Sequence, residues 1–351
     1  MMIKNVGIDT GYGYGLMVSS NKKIKVASFI EEVKESQALA LSSNVSLNDV
    51  LTGKKLVIKY AKPLYSISSI SETKYYVVGE YCENVIANCS RFVTDNRIGD
   101  DKHLIQLLAL MGLAVDSQVA DINLGMGYPT KLKFEKQELI KWLTDKFEFS
   151  YLYDKGEVKR SLNIENVIAC GQSSAPIFTL EPEEIRSNIL SLDFGHNTND
   201  YLYWKAGNFQ SKYEVDKRGF RHHYSEMSDL LLQKFYKVTK NFKEATVQKA
   251  LETGTIKLRD GEHNVETLQE EVLETYVDEI IKDIITHYEE VLDEVDIVLL
   301  SGGIVENDKF YNLFLKKSEK LMLPRVERPE NAQWNIVNGL YEIVNSQFDE
   351  E

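Results

Sequence analysis

Residues 3–18 read Ile-Lys-Asn-Val-Gly-Ile-Asp-Thr-Gly-Tyr-Gly-Tyr-Gly-Leu-Met-Val. An apolar run ends in Asp9, glycines at 11, 13 and 15 make a tight turn, and a second apolar run follows. The stretch predicts strand, turn, strand. Glycine at every second position permits φ > 0 and lets main-chain N–H groups approach a ligand. Such a turn can wrap an anion, and a carboxylate at its start can hold the accompanying cation. It is not a P-loop, because no Gly-Lys-Ser/Thr follows. Nor is it a dinucleotide fingerprint, because Leu-Met-Val-Ser-Ser continues as a strand and not a helix.

The pattern returns at residues 189–204, Ile-Leu-Ser-Leu-Asp-Phe-Gly-His-Asn-Thr-Asn-Asp-Tyr-Leu-Tyr-Trp. Superposing Asp193 on Asp9 also places Gly195 on Gly11, an echo that predicts two halves built alike. A third strand end, Asp296-Ile-Val-Leu-Leu-Ser-Gly-Gly, breaks on Gly302 and Gly303. In α/β proteins ligands bind beyond the carboxyl ends of strands. Two such hairpins would clamp a polyphosphate through turn N–H groups and the Thr198 hydroxyl. Asp9 and Asp193 would hold a hydrated Mg²⁺, which takes one or two carboxylates and keeps most of its waters. Gly302 and Gly303 would let an adenine or ribose lie on the backbone.

Composition narrows the partners. The 351 residues suggest two domains of ordinary size. With 41 Lys plus Arg against 54 Asp plus Glu, the net charge of −13 argues against direct binding to nucleic acid or to an anionic membrane. The three cysteines, Cys82, Cys89 and Cys170, show no C-x-x-C spacing and fit a reducing cytoplasm better than a disulfide framework. The N-terminus enters a strand directly, without a signal peptide, and no apolar run approaches a membrane span. Cys170 beside Gly-Gln-Ser lacks triad spacing and reads as a structural cysteine. The neighbouring His222 and His223 point apart and read as surface residues, not metal ligands.

Between the motifs, residues 30 to about 93 read as a subdomain inserted into the first domain, with strands at 56–60 and 75–81 and a polar stretch at 31–54. Asp100-Asp101 caps a helix that is apolar nearly all round and therefore deeply buried. Residues 122–129 read as a strand leaving through a Gly-x-Gly turn, and 135–149 as an amphipathic helix on Leu139, Trp142, Leu143 and Phe147. Ile164–Ala169 is an apolar strand running into Cys170-Gly-Gln-Ser. Residues 225–260 are charged and helical, part of a second insertion at about 215–265. A long helix runs from Leu268 to about Glu294, and a closing helix spans 331–344. These expectations give domains at 1–190 and 191–351.

With these three strand ends in order, the chain resembles the actin, Hsp70 and sugar-kinase superfamily, and within it the bacterial actin-like proteins of the ParM plasmid-segregation type. The narrower likeness is carried by Phe92-Val-Thr-Asp with the helix after it, Leu124-Gly-Met-Gly-Tyr-Pro-Thr, Val167-Ile-Ala-Cys-Gly-Gln-Ser-Ser-Ala and Pro329-Glu-Asn-Ala-Gln-Trp-Asn-Ile-Val-Asn-Gly-Leu-Tyr. The resemblance implies an α/β, actin-like, ribonuclease-H-like duplicated fold of two domains with a nucleotide cleft between them. It implies that Asp9 and Asp193 organise Mg²⁺, that Gly11, Tyr12, Gly13, Gly195, His196, Asn197 and Thr198 bind phosphates, and that Gly302 and Gly303 bind the nucleoside. Gln172 stands where related proteins carry a Glu or Gln that orients the attacking water, so Gln172 and Asp193 are the expected catalytic pair. Phosphoryl transfer needs mainly positioning and charge stabilisation, which an amide can serve.

The implied function is a cytoplasmic, polymerising filament protein that hydrolyses ATP or GTP. It would assemble head to tail and segregate plasmid DNA through a DNA-binding adaptor. A small-molecule kinase or phosphatase of the same superfamily is the alternative. One departure stands out: the lysine that the family often carries seven residues after the first aspartate is Leu16 here. A basic residue from elsewhere, such as Lys217 or Arg218, would then have to meet the phosphate charge.

Overall fold

The computed structural model describes residues 3–62, 72–89, 91, 98–128, 136–215, 219–239 and 241–348. Lys217, Arg218, Phe92–Asp95 and Pro129–Thr130 lie outside them. The chain divides into two compact units, Met1–Thr179 with Ile336–Glu351, and Leu180–Asn335.

The first unit opens with a meander of β1 (Ile3–Thr10), β2 (Tyr14–Ser19) and β3 (Lys22–Ala27), followed by β4 (Ile30–Val33), α1 (Glu35–Ser42) and α2 (Leu47–Leu51). Next come β5 (Leu56–Lys62), β6 (Glu72–Val78), α3 (Glu80–Val85) and α4 (Asp101–Ala114). Then β7 (Val119–Tyr128), α5 (Lys136–Leu143), β8 (Lys146–Tyr153) and β9 (Gly156–Gly171) complete its sheet. The second unit holds β10 (Ile189–Phe194), β11 (Asn199–Lys205), β12 (Asn208–Val215), α6 (His222–Phe235) and α7 (Glu244–Thr253). It continues with β13 (Thr255–Leu258), β14 (Gly261–Asn264), α8 (Glu266–Tyr288), β15 (Ile297–Ser301), α9 (Asp308–Ser318) and β16 (Arg325–Glu327). The last helix, α10 (Asn335–Gln347), returns to the first unit.

The two sheets share a plan. In the first unit β3-β2-β1-β7-β9 pair antiparallel, antiparallel, parallel and parallel. In the second, β12-β11-β10-β15-β16 pair in the same sequence of directions. The first sheet then continues through β8, β5, β6 and β4, all antiparallel, to nine strands among the described residues. Residues 30–62 and 72–78 thus extend the first sheet, with α1 and α2 beside it where the polar stretch falls.

Two features hold the strand ends of the first unit in place. Helix α4, capped by the Asp100 carboxylate on the His103 N–H at 3.0 Å, is buried at every residue from His103 to Ala114 and packs on β1, β2 and β3. On the other side α10 meets the strands backbone to backbone. A Cβ on Gly7 would lie 2.6 Å from the Tyr341 nitrogen, and one on Gly125 2.3 Å from the Leu340 carbonyl oxygen. Beside these glycines runs a chain of amides. Asn166 donates to Asn123 at 2.8 Å, Asn123 to Asn5 at 2.9 Å, and Asn5 to the Phe348 carbonyl at 3.0 Å. That polar row ties three parallel strands to the end of the chain. A buried amide without such partners would cost about 1–3 kcal/mol.

Several local expectations change. The helix expected at 135–149 stops at Leu143, and Phe147 lies on β8, where Phe147, Phe149 and Tyr151 alternate into the core. Gly125 and Gly127 are inside β7 and not in a turn. The expected helical stretch 225–260 ends at Thr253, and residues 255–264 form the β13–β14 hairpin after Gly254 takes φ +67°. The long helix ends at Tyr288 and tightens into a 3₁₀ segment over Glu289–Glu294. His223 is buried against the Tyr276 ring at 4.6 Å, while His222 is exposed, because successive residues face different sides of a helix. Cys82 and Cys89 are bonded to each other, with Cα atoms 6.3 Å apart. The bridge is a local staple at the end of α3 that no sequence spacing announces.

Candidate functional site: two hairpins at the strand ends

Asp9 and Asp193 occupy equivalent places. Each is the penultimate residue of the first strand of its meander, and each is buried, at 8% and 6% exposure. The turns that follow are four residues long in both cases, Gly11–Tyr14 and Gly195–Thr198, closed by Thr10 opposite Gly15 and by Phe194 opposite Asn199. They also share one hydrogen bond. The Gly11 N–H donates to the Tyr14 carbonyl at 3.0 Å, and the Gly195 N–H to the Thr198 carbonyl at 2.9 Å.

That bond explains the glycines. A Cβ would approach the closing carbonyl to 3.1 Å at Gly11 and 2.7 Å at Gly195. None of Gly11, Gly13, Gly15 or Gly195 adopts positive φ, so at Gly11 and Gly195 glycine supplies close approach and not left-handed backbone, while at Gly13 a Cβ would meet only Arg91 Nη1 at 3.4 Å. Gly15 is crowded by packing, since a Cβ would lie 2.8 Å from the Gln106 amide nitrogen and from Leu110 Cδ1 of α4, and those side-chain ends would have to move aside.

The turns differ in what holds them. In the first, the Ser28 hydroxyl donates to the Gly11 carbonyl at 2.7 Å, and the Ser28 N–H and Arg91 Nη1 both donate to the Gly13 carbonyl at 3.0 Å. Gln106 in turn donates to the Ser28 hydroxyl at 2.8 Å, linking the turn to α4. In the second, the carbonyls of Asn197, Gly195 and His196 accept from three consecutive backbone N–H groups, Gly219 at 3.0 Å, Phe220 at 3.2 Å and Arg221 at 2.9 Å. These residues lead straight into α6. Gly219 has no alternative, because a Cβ would sit 2.3 Å from the Asn197 carbonyl carbon and 2.5 Å from the Thr198 nitrogen. Because a trans peptide sets each C=O opposite the N–H that follows, pinning the carbonyls turns the next N–H groups the other way. His196 itself stacks edge-on against Tyr224 at 5.6 Å and lies 3.8 Å from Glu244, while Tyr12 holds the matching turn position in the first hairpin and is half-buried.

Around each aspartate the neighbours are distinct. Asp9 pairs across the ladder with Leu16, and its carboxylate lies over Gly127, where a Cβ would come within 3.0 Å of Oδ1. Gln172, just past β9, donates its amide to the same Asp9 oxygen at 2.5 Å. Thus the first unit brings Asp9, the Gly11–Gly13 turn and Gln172 together. In the second unit Asp193 stands between Asp200 of β11 and Ser301 of β15, both buried. Thr198 donates to Asp200 at 3.4 Å, and Asn335 to the Ser301 hydroxyl at 3.2 Å. Gly302, with φ +107°, closes on the same strand, since its Cβ would meet the Phe194 carbonyl oxygen at 2.2 Å. Gly303 lies beside Gln333 instead, where a Cβ would find 3.4 Å.

Nearby titratable groups fit a positioning role. Burial pushes the Cys170 thiol up to about 12, so the cysteine beside Gly171 and Gln172 is protonated and inert at neutral pH. Burial likewise raises the Tyr276 hydroxyl, against the opposing effect of its 2.8 Å hydrogen bond to Asn199. Among the described residues no three His, Cys, Asp or Glu side chains converge as a metal cage. One buried carboxylate at the first strand end and a cross-strand pair, Asp193 and Asp200, at the second suit a cation that keeps waters and takes phosphate oxygens, which is Mg²⁺ chemistry. Gly219, Ser28 and Arg91 carry no motif, and sequence reading passes over them.

The comparisons with known proteins agree with this plan. Residues 7–174 match the family model "Actin like proteins N terminal domain". No curated protein sequence matches the chain. Among solved structures, the actin-like protein Alp7A superposes with a TM-score of 0.78 at 14% identity, over 99% of this chain and 97% of that one. A ParM from Clostridium botulinum, solved as a 15-stranded filament, gives 0.78 at 19% over 99% and 100%. The archaeal actin homologue Ta0583, in complex with ADP, gives 0.74 at 17% over 99% and 100%. The chain therefore has the actin-like fold, two α/β units of one plan. Residues 7–174, just under half of the chain, are where the sequence itself matches that family model.

Proposed function

We propose that the protein is a nucleotide-dependent actin-like filament protein that binds and hydrolyses ATP or GTP. The observation that carries this reading is the repeated hairpin: a buried aspartate, then a four-residue turn closed by the same hydrogen bond, at the carboxyl end of a parallel-paired strand in both units. Relatives of this fold support it, since one was solved as a filament, one with ATP and one with ADP. On this reading the turn N–H groups of Gly11–Gly13 and Gly195–Thr198 bind phosphates, and the backbone at Gly302 and Gly303 faces the nucleoside. Asp9 and Asp193 would anchor a hydrated Mg²⁺, which supplies neutralisation of phosphate charge. Gln172, whose amide is already directed by Asp9, orients the attacking water, and Asp193 with Asp200 beside it accepts hydrogen bonds from that water's shell.

A negatively charged filament would reach DNA through a basic adaptor and not directly, which fits plasmid segregation. No helix among the described residues is long and apolar enough to cross a membrane. Sedimentation of the purified chain with Mg-ATP, Mg-GTP or no nucleotide tests the filament reading. Nucleotide-dependent pelleting is expected. A chain that stays in the supernatant under all three conditions, yet transfers phosphate to an added sugar or other small alcohol, would be a kinase instead.

A further inference from the structure

The first hairpin turn depends on a side chain from far along the chain. Arg91 follows the Cys82–Cys89 bridge by two residues, and its backbone forms an isolated antiparallel bridge with Phe29. Its guanidinium lies over two rings, with its carbon 4.9 Å from the Phe29 centroid and 5.9 Å from that of Tyr14. From there Nη1 donates to the Gly13 carbonyl at 3.0 Å, and the Ser28 N–H takes the other lone pair of that oxygen. The Gly13–Tyr14 peptide is therefore held from one side by two donors. Its N–H, opposite the carbonyl, is turned to the other side. The corresponding peptides of the second hairpin are held by main-chain donors, so Arg91 does for the first turn what the start of α6 does for the second.

On the nucleotide-binding reading of this hairpin, we propose that Arg91 is a positioning residue that sets the Gly13–Tyr14 peptide to receive the outer phosphates of the nucleotide. The guanidinium suits the task because its planar face packs on aromatic rings while one edge donates. A lysine keeps the charge but not that geometry. The charge sits behind the turn, in a hairpin that carries Leu16 opposite Asp9, while Lys25 of β3 stands opposite Leu16 with its ammonium 3.9 Å over the Tyr14 ring.

Equilibrium binding of fluorescent ATP, ADP and AMP to the full chain tests this, with Arg91→Ala and Arg91→Lys beside the wild type. Arg91→Ala should lose about tenfold in affinity for ATP and ADP while AMP binding stays level, the size expected for one charge-assisted hydrogen bond. Arg91→Lys should recover only a small part of that loss, and its melting temperature should match the wild type. Should Arg91→Ala fold poorly, the weakened ATP binding of Arg91→Lys carries the test alone. ATP affinity unchanged in both variants, an equal loss for AMP, or full recovery with lysine would overturn the positioning role. Wild-type protein that binds none of the three nucleotides would overturn the nucleotide reading itself, and this role with it.

Discussion

In the first hairpin the turn carbonyls are held by Ser28, through both its hydroxyl and its N–H, and by the Arg91 side chain. In the second they are held by three consecutive backbone N–H groups at the start of α6. The rows of side chains at the aspartates differ as well. Asp200, Asp193 and Ser301 stand side by side in the second unit, whereas Leu16, Asp9 and Gly127 do so in the first, completed by the Gln172 amide. One plan has thus been specialised in two directions. The first hairpin is a turn held by two side chains and one main-chain N–H, with one carboxylate and an amide. The second is a turn fixed by main chain, with two carboxylates side by side.

The largest effect that separates the two should come from the aspartates. Asp193→Ala is expected to lower nucleotide turnover by at least about a hundredfold, as loss of a charge-organising group does. Asp9→Ala should weaken Mg-dependent binding more than it slows the chemical step. Single-turnover phosphate release separates the two, and an Asp193→Ala protein with wild-type release would end the assignment of chemistry to the second hairpin.

Glycine substitutions probe how each turn is held. Gly219→Ala drives a methyl into the Asn197–Thr198 peptide and should cost about 3 kcal/mol, read as a lowered melting temperature and lost nucleotide binding. Gly13→Ala meets only the Arg91 guanidinium at 3.4 Å, which can shift, and should be nearly silent in stability. If the two variants melt alike, the contrast between a main-chain clamp and a side-chain clamp is wrong.

Removing the Ser28 hydroxyl is a smaller perturbation. Ser28→Ala frees the Gly11 carbonyl and leaves the buried Gln106 amide without its acceptor, for a cost of about 1–2 kcal/mol in thermal or denaturant unfolding. Adding Gln106→Leu should return part of that loss, because no unpaired donor then remains.

The smallest effect concerns pH. In Gln172→Glu a second carboxylate would replace the amide beside Asp9, and one of the two would keep its proton to higher pH than a free side chain. The folded state would then bind more protons than the unfolded state above the ordinary carboxylate range. Stability should therefore fall as pH rises through that raised value, by about 1 kcal/mol. Melting curves of the variant and the wild type between acid and neutral pH check the sign. A variant that instead gains stability with rising pH would show that Gln172 and Asp9 are not in contact.

How far the sequence carries can be judged from particular residues. The Asp-x-Gly echo was legible because a turn closed through a residue's own N–H crowds a Cβ there, to 3.1 Å at Gly11 and 2.7 Å at Gly195, and the preference leaves its mark twice. The α4 helix was legible because burial on all sides demands an apolar sequence all round. Phe147 misled, since residues that alternate on a strand also recur near helical spacing over a short window. Gly125 and Gly127 misled because a glycine inside a strand, against a helix backbone at Gly125 and against the Asp9 carboxylate at Gly127, looks, in one dimension, like a turn. Arg91, Ser28 and Gly219 left no signal, because each acts on a turn distant in sequence.

By itself, the sequence determined the two strand-turn-strand units, their aspartates and the buried helix, all of which follow from short-range patterns of glycine, charge and hydrophobicity. Tertiary structure decided that α10 lies on the first unit, that Gln172 meets Asp9, and which groups hold each turn. Those contacts join residues tens to hundreds of positions apart, and local periodicity holds no record of them. They arise only once parallel strands and the helices beside them bring distant main chain within hydrogen-bond reach.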